Sequence, residues 1–460
     1  MLKTFLDWLR GLGRPPAAAT PAAAAAFAQL NHDAPLRATV KAEDDPHSPP
    51  VTYLCRETIL GRDQRIAGYQ FMLHEGTRNH IRHSSRRIQH VYAEVLVRNL
   101  AHADIGRLLG HRLAFIEVPD SFLDHPCLAD LPAAHMVLML TSLPDVGALP
   151  AAALAERIDS LREAGFRIAV PDPLQNASAA PLLTHADVVV ARAPALDALH
   201  ELELRRLMAR TAPHARLLIR DLPALEDFRF AFRIGAALFQ GPFITSREDW
   251  TEHDLSPSTL RITRLLRRLR ENGETHDLAA LLKEDAALAL RLLRYVNAAA
   301  NAFVEPISSI EHALVILGRE RLQRWLILLS CSTAGQDGRA ASALETALIR
   351  ARMMELLAEG ETVAQCEALF LVGLLSLADV IMQIPLDKAL APLALADDIG
   401  DALLHARGPL YPLLELAIAC ERGHGDAADL RRAAAVCGIS PQQATACHLE
   451  AMAWAMTVQD

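Results

Sequence analysis

Nineteen histidines and 55 acidic residues give this chain ample material for metal chemistry, so their spacing decides what they could do. A divalent ion needs His, Asp, Glu or Cys donors converging on one point, and a catalytic ion also needs an open position for water. His-Asp dipeptides occur at His32-Asp33, His253-Asp254 and His276-Asp277. The first lies in an Ala/Pro-rich stretch, the second between two blocks of different pattern, and the third just ahead of a helix. Chance accounts for all three in a chain this rich in both residues. His80, His83 and His90 fall on and before a helix start with no cysteine or acid at ligand spacing, which reads as solvated surface. The seven cysteines are scattered and form no C-x-x-C pair, as expected for reduced structural thiols in a cytoplasmic protein. No metal or cofactor is expected from these residues.

The arginines raise a second possibility. Arg261–Arg270 carries Leu265, Leu266 and Leu269 between its charges, the pattern of an amphipathic helix with a solvated face that could pack one domain on the other. Two segments have the outline of a helix-turn-helix: Ile307–Leu329, turning at Gly318, and Leu430–Trp454, turning at Cys437-Gly-Ile-Ser440. A DNA reader needs basic and amide side chains on its second helix. Residues 442–454 hold no Arg or Lys, Trp325 to Leu329 is apolar enough for burial, and the net charge is −9, so DNA binding is not expected.

At 460 residues the chain can build two or three cores. Leu2, Phe5, Leu6, Leu9 and Leu12 give residues 1–13 an amphipathic pattern, fit for a partner groove, a membrane surface or the protein's own body. A mobile Ala/Pro-rich linker to residue 50 follows. No apolar run reaches the ~18 residues a membrane span needs, and Asp7 and Arg10 interrupt any signal-peptide core.

From residue 51 to about 250, buried-strand runs occur at Ile66–Met72, Leu113–Val118, Met136–Leu140, Arg167–Val170, Asp187–Val190, Arg216–Ile219 and Ala237–Phe239. Helical stretches at Ser85–Leu100, Pro150–Glu163, Ala195–Ala212 and Pro223–Ile234 separate most of them. This alternation predicts parallel βα units, closed into a barrel or open and doubly wound; no G-x-G-x-x-G turn supports a dinucleotide site. From 251 to 460 only helical periodicity remains. A helix beginning near Asp277 carries Leu281, Leu282, Leu288, Leu292, Leu293 and Val296, and Ser308-Ser-Ile-Glu311 has the spacing of a capping box.

Both halves resemble one bacterial signalling architecture, a degenerate EAL-type (β/α) barrel followed by an all-helical HDOD (HD-related) domain. The resemblance covers roughly Val51 to the C-terminus. It is carried by Asp285-Ala-Ala-Leu-Ala-Leu-Arg-Leu-Leu-Arg-Tyr-Val-Asn297, Ile307-Ser-Ser-Ile-Glu-His-Ala313, Leu317-Gly318 and Ile349-Arg-Ala-Arg-Met-Met-Glu355. Trp454-Ala455 and the helix Leu371-Val-Gly-Leu-Leu-Ser-Leu-Ala-Asp379 agree with it. In the first half, Gly68-Tyr-Gln-Phe-Met72 is similar to the signature strand and Phe239-Gln-Gly-Pro-Phe243 to the closing strand.

The resemblance implies where metal ligands would stand. EAL enzymes hydrolyse cyclic di-GMP with metal ions held by acids at the carboxyl ends of barrel strands. Here the signature glutamate's place holds Gln70, the next ligand position Glu117, and the following strand Met139. The Asp-Asp pair reads Pro171-Asp172, the later lysine and aspartate read Val190 and Arg192, and the final glutamates read Arg220 and Pro223, with Gln240 in the last strand. In the helical half, Ser376-Leu377 stands where HD-type hydrolases place His-Asp. The expectation is a non-enzyme: a signal-transduction adaptor acting through protein–protein contacts with signalling partners, linked to cyclic di-GMP. One alternative is a non-hydrolysing receptor for cyclic di-GMP or another nucleotide, with Arg192 and Arg220 offering guanidinium forks to phosphate beside Gln70, Glu117, Asp172 and Gln240. Against that, the two arginines could simply pair with Glu117 and Asp172. Another is residual phosphodiesterase activity through Glu117 and Asp172.

Overall fold

The computed structural model describes residues 53–74, 86–141, 149–193, 198–247, 257–299, 309–334, 338–358, 360–393, 395–421 and 427–459. Residues 1–50, His80, His83, His253-Asp254 and Ser308, which carry several of the expectations above, lie outside these.

Eight strands close into a barrel in sequence order: β1 Tyr53–Leu60, β2 Ile66–His74, β3 Leu113–Pro119, β4 Met136–Thr141, β5 Arg167–Pro171, β6 Val188–Arg192, β7 Arg216–Arg220 and β8 Leu238–Gln240. β2 to β8 pair in parallel, while β1 runs antiparallel to both of its neighbours, β2 and β8. Closure leaves no edge strand to template aggregation. All seven expected strands are present. The unexpected one is β1, whose Arg56-Glu57 interrupts any apolar run; both side chains hydrogen-bond to partners more than 180 residues away. Ile59, Phe115, Val137, Met139, Ala169, Val188, Leu218 and Leu238 fill the barrel interior.

Helices α1 Arg86–His102, α2 Ile105–Leu109, α3 Ala151–Glu163, α4 Ala198–Thr211 and α5 Leu225–Arg233 lie between the strands. Between β5 and β6 the connection is a 3₁₀ stretch, Ala177–His185, with Pro181 inside it. Between β1 and β2 there is only the turn Gly61–Arg65, closed by Gly61 N–H to the Arg65 carbonyl at 2.8 Å.

Among its described residues the second half holds helices and no strand: α6 Pro257–Arg270, α7 Thr275–Lys283, α8 Ala286–Ala299, α9 Ile310–Ala334, α10 Gly338–Leu357, α11 Val363–Leu375, α12 Ala378–Met382, α13 Leu386–Leu390, α14 Asp397–His405, α15 Tyr411–Glu421, α16 Ala427–Val436 and α17 Pro441–Gln459. The helix expected from Asp277 is two helices, because Asp285 caps a fresh start: its Oδ1 accepts the Leu288 N–H at 3.2 Å. The Ser308 end of the expected capping box lies outside the described residues. Ser309 Oγ receives the His312 N–H at 3.1 Å, and Glu311 turns to Lys283 instead. Gly318 does break α9, with φ 73° and ψ 169°. The arginine-rich α6 buries Ile262, Leu265, Leu266 and Leu269 and exposes Arg261, Arg264, Arg267 and Arg270. It packs on α9 within the helical half rather than on the barrel.

One apolar cluster runs through both halves. With no helix between β1 and β2, the outer face of that hairpin is covered from the far end of the chain by α10, α15 and α17. The contacts are polar as well as apolar. Thr445 Oγ1 accepts the Leu54 N–H at 3.3 Å, and Ser342 Oγ donates to the Gln64 carbonyl at 2.9 Å. Arg339 reaches the carbonyls of Phe243 and Ser246 at 3.1 and 2.9 Å.

Candidate functional site

Parallel strands deliver inward-facing side chains to the carboxyl end of a barrel, where chemistry is normally sited. The register here sets Glu57 opposite Gln70, Glu117 beside Met139, and Arg192 beside Arg220. Four of the six residues expected at the mouth converge: Gln70, Glu117, Arg220 and Gln240. Arg220 Nη1 donates to Glu117 Oε1 at 2.7 Å, and its Nη2 donates to Gln70 Oε1 at 2.7 Å. The Gln240 amide donates to the same Gln70 oxygen at 2.7 Å and to Glu57. Gln70 Nε2 closes the ring on Glu117 Oε1 at 3.3 Å. Arg220, Gln70 and Gln240 are all buried.

Burial works against the Arg220 charge, but the Glu117 carboxylate beside it more than offsets this and holds its pKa above the ordinary value. Gly241 follows Gln240 at φ +152°, and a Cβ there would stand 2.3 Å from the Leu222 carbonyl oxygen. That close approach brings the Gln240 carbonyl within 3.1 Å of the Leu222 N–H, fixing the Gln-Gly turn.

Asp172 and Arg192 are engaged elsewhere. Asp172 is buried and accepts from His200 Nε2 at 2.6 Å and from the Leu174 N–H at 2.9 Å. Arg192 pairs with Asp221 at 3.3 Å and is 43 % exposed. So Arg220 neutralises Glu117 as one reading had it, while Asp172 is taken by a histidine and not by Arg192. Glu57 and His200 were not singled out in the sequence: Glu57 sits in the unexpected strand, and His200 on α4, which no motif covers. Among the described residues no three His, Cys, Asp or Glu side chains gather to hold a metal ion.

The helical half holds a second buried guanidinium. Arg350 on α10 donates to Glu421 from Nε at 3.0 Å to each oxygen and from Nη2 at 2.7 Å, and its Nη1 reaches Ser376 Oγ at 3.0 Å. Side-chain exposure of the pair is 5 % and 10 %. Gly373 makes this approach feasible, since a Cβ there would lie 2.4 Å from the Ala351 nitrogen and 2.7 Å from the Arg350 carbonyl carbon. Asp379, two residues past Leu377, is buried against Arg247 at 3.2 Å; burial raises its pKa. Neither Arg350 nor Glu421 had been assigned a role, although Arg350 lies in a quoted motif. The second helix-turn-helix outline forms as expected from α16 and α17, but its His448 is buried against β1 and the first segment's Trp325, Leu326 and Ile327 are core residues.

The HDOD domain family matches residues 255–397. The chain is 23% identical over 422 residues to the uncharacterized protein YuxH of Bacillus subtilis, covering 89% of this chain and 99% of that protein. It is 24% identical over 367 residues to the cyclic di-GMP phosphodiesterase CdgJ of Vibrio cholerae, covering 79% of this chain and 84% of that protein. A standalone EAL protein from Vibrio cholerae O395, solved in its c-di-GMP bound form, aligns loosely, with a TM-score of 0.35 and 13% identity over 41% of this chain and 89% of that chain. Among the described residues no helix is long and apolar enough to cross a membrane. The C-terminal half of the chain thus carries an HDOD domain, and the whole has the two-part organisation, barrel and then HDOD, of the EAL-HDOD proteins its motifs resemble.

Proposed function

We propose that this chain is a signalling protein of the cyclic di-GMP network that does not hydrolyse the nucleotide, and that its output passes through contacts between the HDOD half and partner proteins. The observation that carries this reading is the position of Arg220. Its guanidinium bonds the very oxygens, on Glu117 and Gln70, that a divalent ion would need at the mouth. A guanidinium only donates hydrogen bonds and has no coordination position in which to bind and acidify a water. At the neighbouring strand positions, Met139 beside Glu117 and Pro171 beside Val190 offer no oxygen or nitrogen ligand. The residues present therefore do not fit a pair of metal ions.

The helical half supports the same reading: Arg350, held by Glu421 and Ser376, sits beside the Ser376-Leu377 pair where the resemblance would place His-Asp. The cyclic di-GMP link rests on the motifs and on the named activity of the Vibrio cholerae relative. That relative also keeps the phosphodiesterase reading open to test. Full-length protein incubated with cyclic di-GMP and Mg²⁺ or Mn²⁺ is expected to release no linear dinucleotide, and release at a rate above the metal-only control overturns the proposal. Titration with cyclic di-GMP separates the remaining two: measurable heat favours a receptor, and none favours a simple adaptor.

A further inference from the structure

The β1–β2 hairpin has two working faces. Along a strand, successive side chains point to opposite sides, so neighbours in sequence address different surroundings. Glu57 and Gln70, opposite one another in the register, point into the barrel and belong to the network around Arg220. The residues next to them, Arg56 and Tyr69, point outward and are buried against the helical half.

That outer face is a polar network of its own. Tyr69 donates its hydroxyl to Glu345 in the middle of α10, and Glu345 also receives Arg112 Nη2 at 2.7 Å. The Arg56 guanidinium lies over the Tyr69 ring, 4.8 Å from its centroid, and Arg56 Nε donates to His448 Nε2 of α17 at 3.0 Å. His448 in turn contacts Met353 of α10 through Nδ1 at 3.3 Å. Arg56, Tyr69, Glu345 and His448 are each no more than 2% exposed. Polar groups buried so deeply tolerate little misplacement, because a donor or acceptor left without a partner costs the full desolvation of that group.

We infer that this hairpin is a coupling element between the barrel mouth and the HDOD half: the hydrogen-bond state of Glu57 and Gln70 inside sets the positions of Arg56 and Tyr69 outside, and with them the seating of α10 and α17. This coupling is independent of whether the barrel turns over cyclic di-GMP. It follows from one pleated ribbon carrying a buried hydrogen-bonded network on each side, so that a rearrangement in either shifts the backbone the other uses.

A double-mutant cycle on the full-length protein tests it. The variants are Arg220→Met, which removes the inner cation, Tyr69→Phe, which deletes only the outer hydroxyl, and both together, each measured by urea unfolding. Residues that share no partner and no element multiply in their effects on the unfolding constant to within about twofold. The expected result is a departure from multiplication by more than about twofold. The control pairs Arg220→Met with Glu355→Gln, which lies on α10 in an ion pair with Arg324 and off the hairpin, and is expected to multiply. Multiplication in the test pair overturns the inference, and so does a control that departs as far as the test. Should Arg220→Met not fold, Arg220→Lys, which keeps the charge and loses the fork, takes its place in both cycles. Dinucleotide release is read in a separate assay, so a failure of the coupling and a failure of the non-hydrolysing reading are told apart.

Discussion

Replacing Arg220 by methionine removes a buried charge and leaves its volume largely filled. The cost then comes from what the guanidinium abandons: the Glu117 carboxylate and the shared oxygen of Gln70, each bonded to it at 2.7 Å. Breaking one side of a fully buried ion pair costs about 3–5 kcal/mol. Glu117 keeps 19% of its side chain exposed, against 4% for Arg220, so part of its charge can be hydrated once the partner is gone. A loss of about 2–3 kcal/mol is therefore expected for Arg220→Met in urea unfolding of the full-length protein. The double variant Glu117→Met with Arg220→Met removes both charges and should return to within about 1 kcal/mol of the parent, since a buried pair replaced by apolar groups is often neutral. A single variant as stable as the parent, or a double variant less stable than the single, would refute the view that this pair is a mutually dependent buried unit.

Four further outcomes are expected. Arg350→Met should destabilise by about 3 kcal/mol in a thermal or urea melt, because Glu421 is left with little access to water. Gly373→Ala, whose Cβ would meet Ala351 at 2.4 Å, should cost about 2 kcal/mol or more by forcing α10 and α11 apart, while Gly400→Ala, with open space around it, should cost nothing measurable. The third concerns pH. Burial, and then the neighbouring Arg56 charge, lower the His448 pKa well below its usual value, so the unfolded chain binds a proton below about pH 6.5 that the folded chain refuses. Stability should fall with decreasing pH below that point, by up to about 1.4 kcal/mol per pH unit, and His448→Asn should flatten the slope. Glu345, whose pKa is raised by burial, contributes the opposite slope, which cancels when the two proteins are subtracted. Finally, residues 51–250 expressed alone should aggregate, as judged by light scattering, because Leu54, Tyr69 and Phe71 lose their cover.

Strands β2 to β8 were legible because each is a short apolar run buried on both faces, the pattern that parallel barrel strands require. The first strand was not, because its charges are answered at a distance. Arg56 is meaningful only once His448 and Tyr69 are beside it, and Glu57 only once Gln240 is. The mouth residues Gln70, Glu117, Arg220 and Gln240 were found through motif positions, and strand register then brought them together. Asp172 occupied a motif position too, yet its partner His200 comes from a helix no motif covers. Local signals also misled. A continuous leucine periodicity hid the restart at Asp285, and the hydroxyl of Ser309, which no spacing singled out, accepts the His312 N–H. The Arg350–Glu421 pair spans 71 residues, beyond what periodicity reports.

The hairpin that opens the described chain is clothed by its last helix, 392 residues later. During synthesis at about 5–20 residues per second, the nascent β1–β2 ribbon therefore waits on the order of 20–80 s for its final neighbour. Its outward tyrosine, leucine and phenylalanine are covered in stages, by α10 and α15 first and by α17 last. Such a delay makes the emerging polypeptide a natural client for a holding chaperone, and it makes premature termination anywhere before α17 a route to sticky fragments rather than to a functional half.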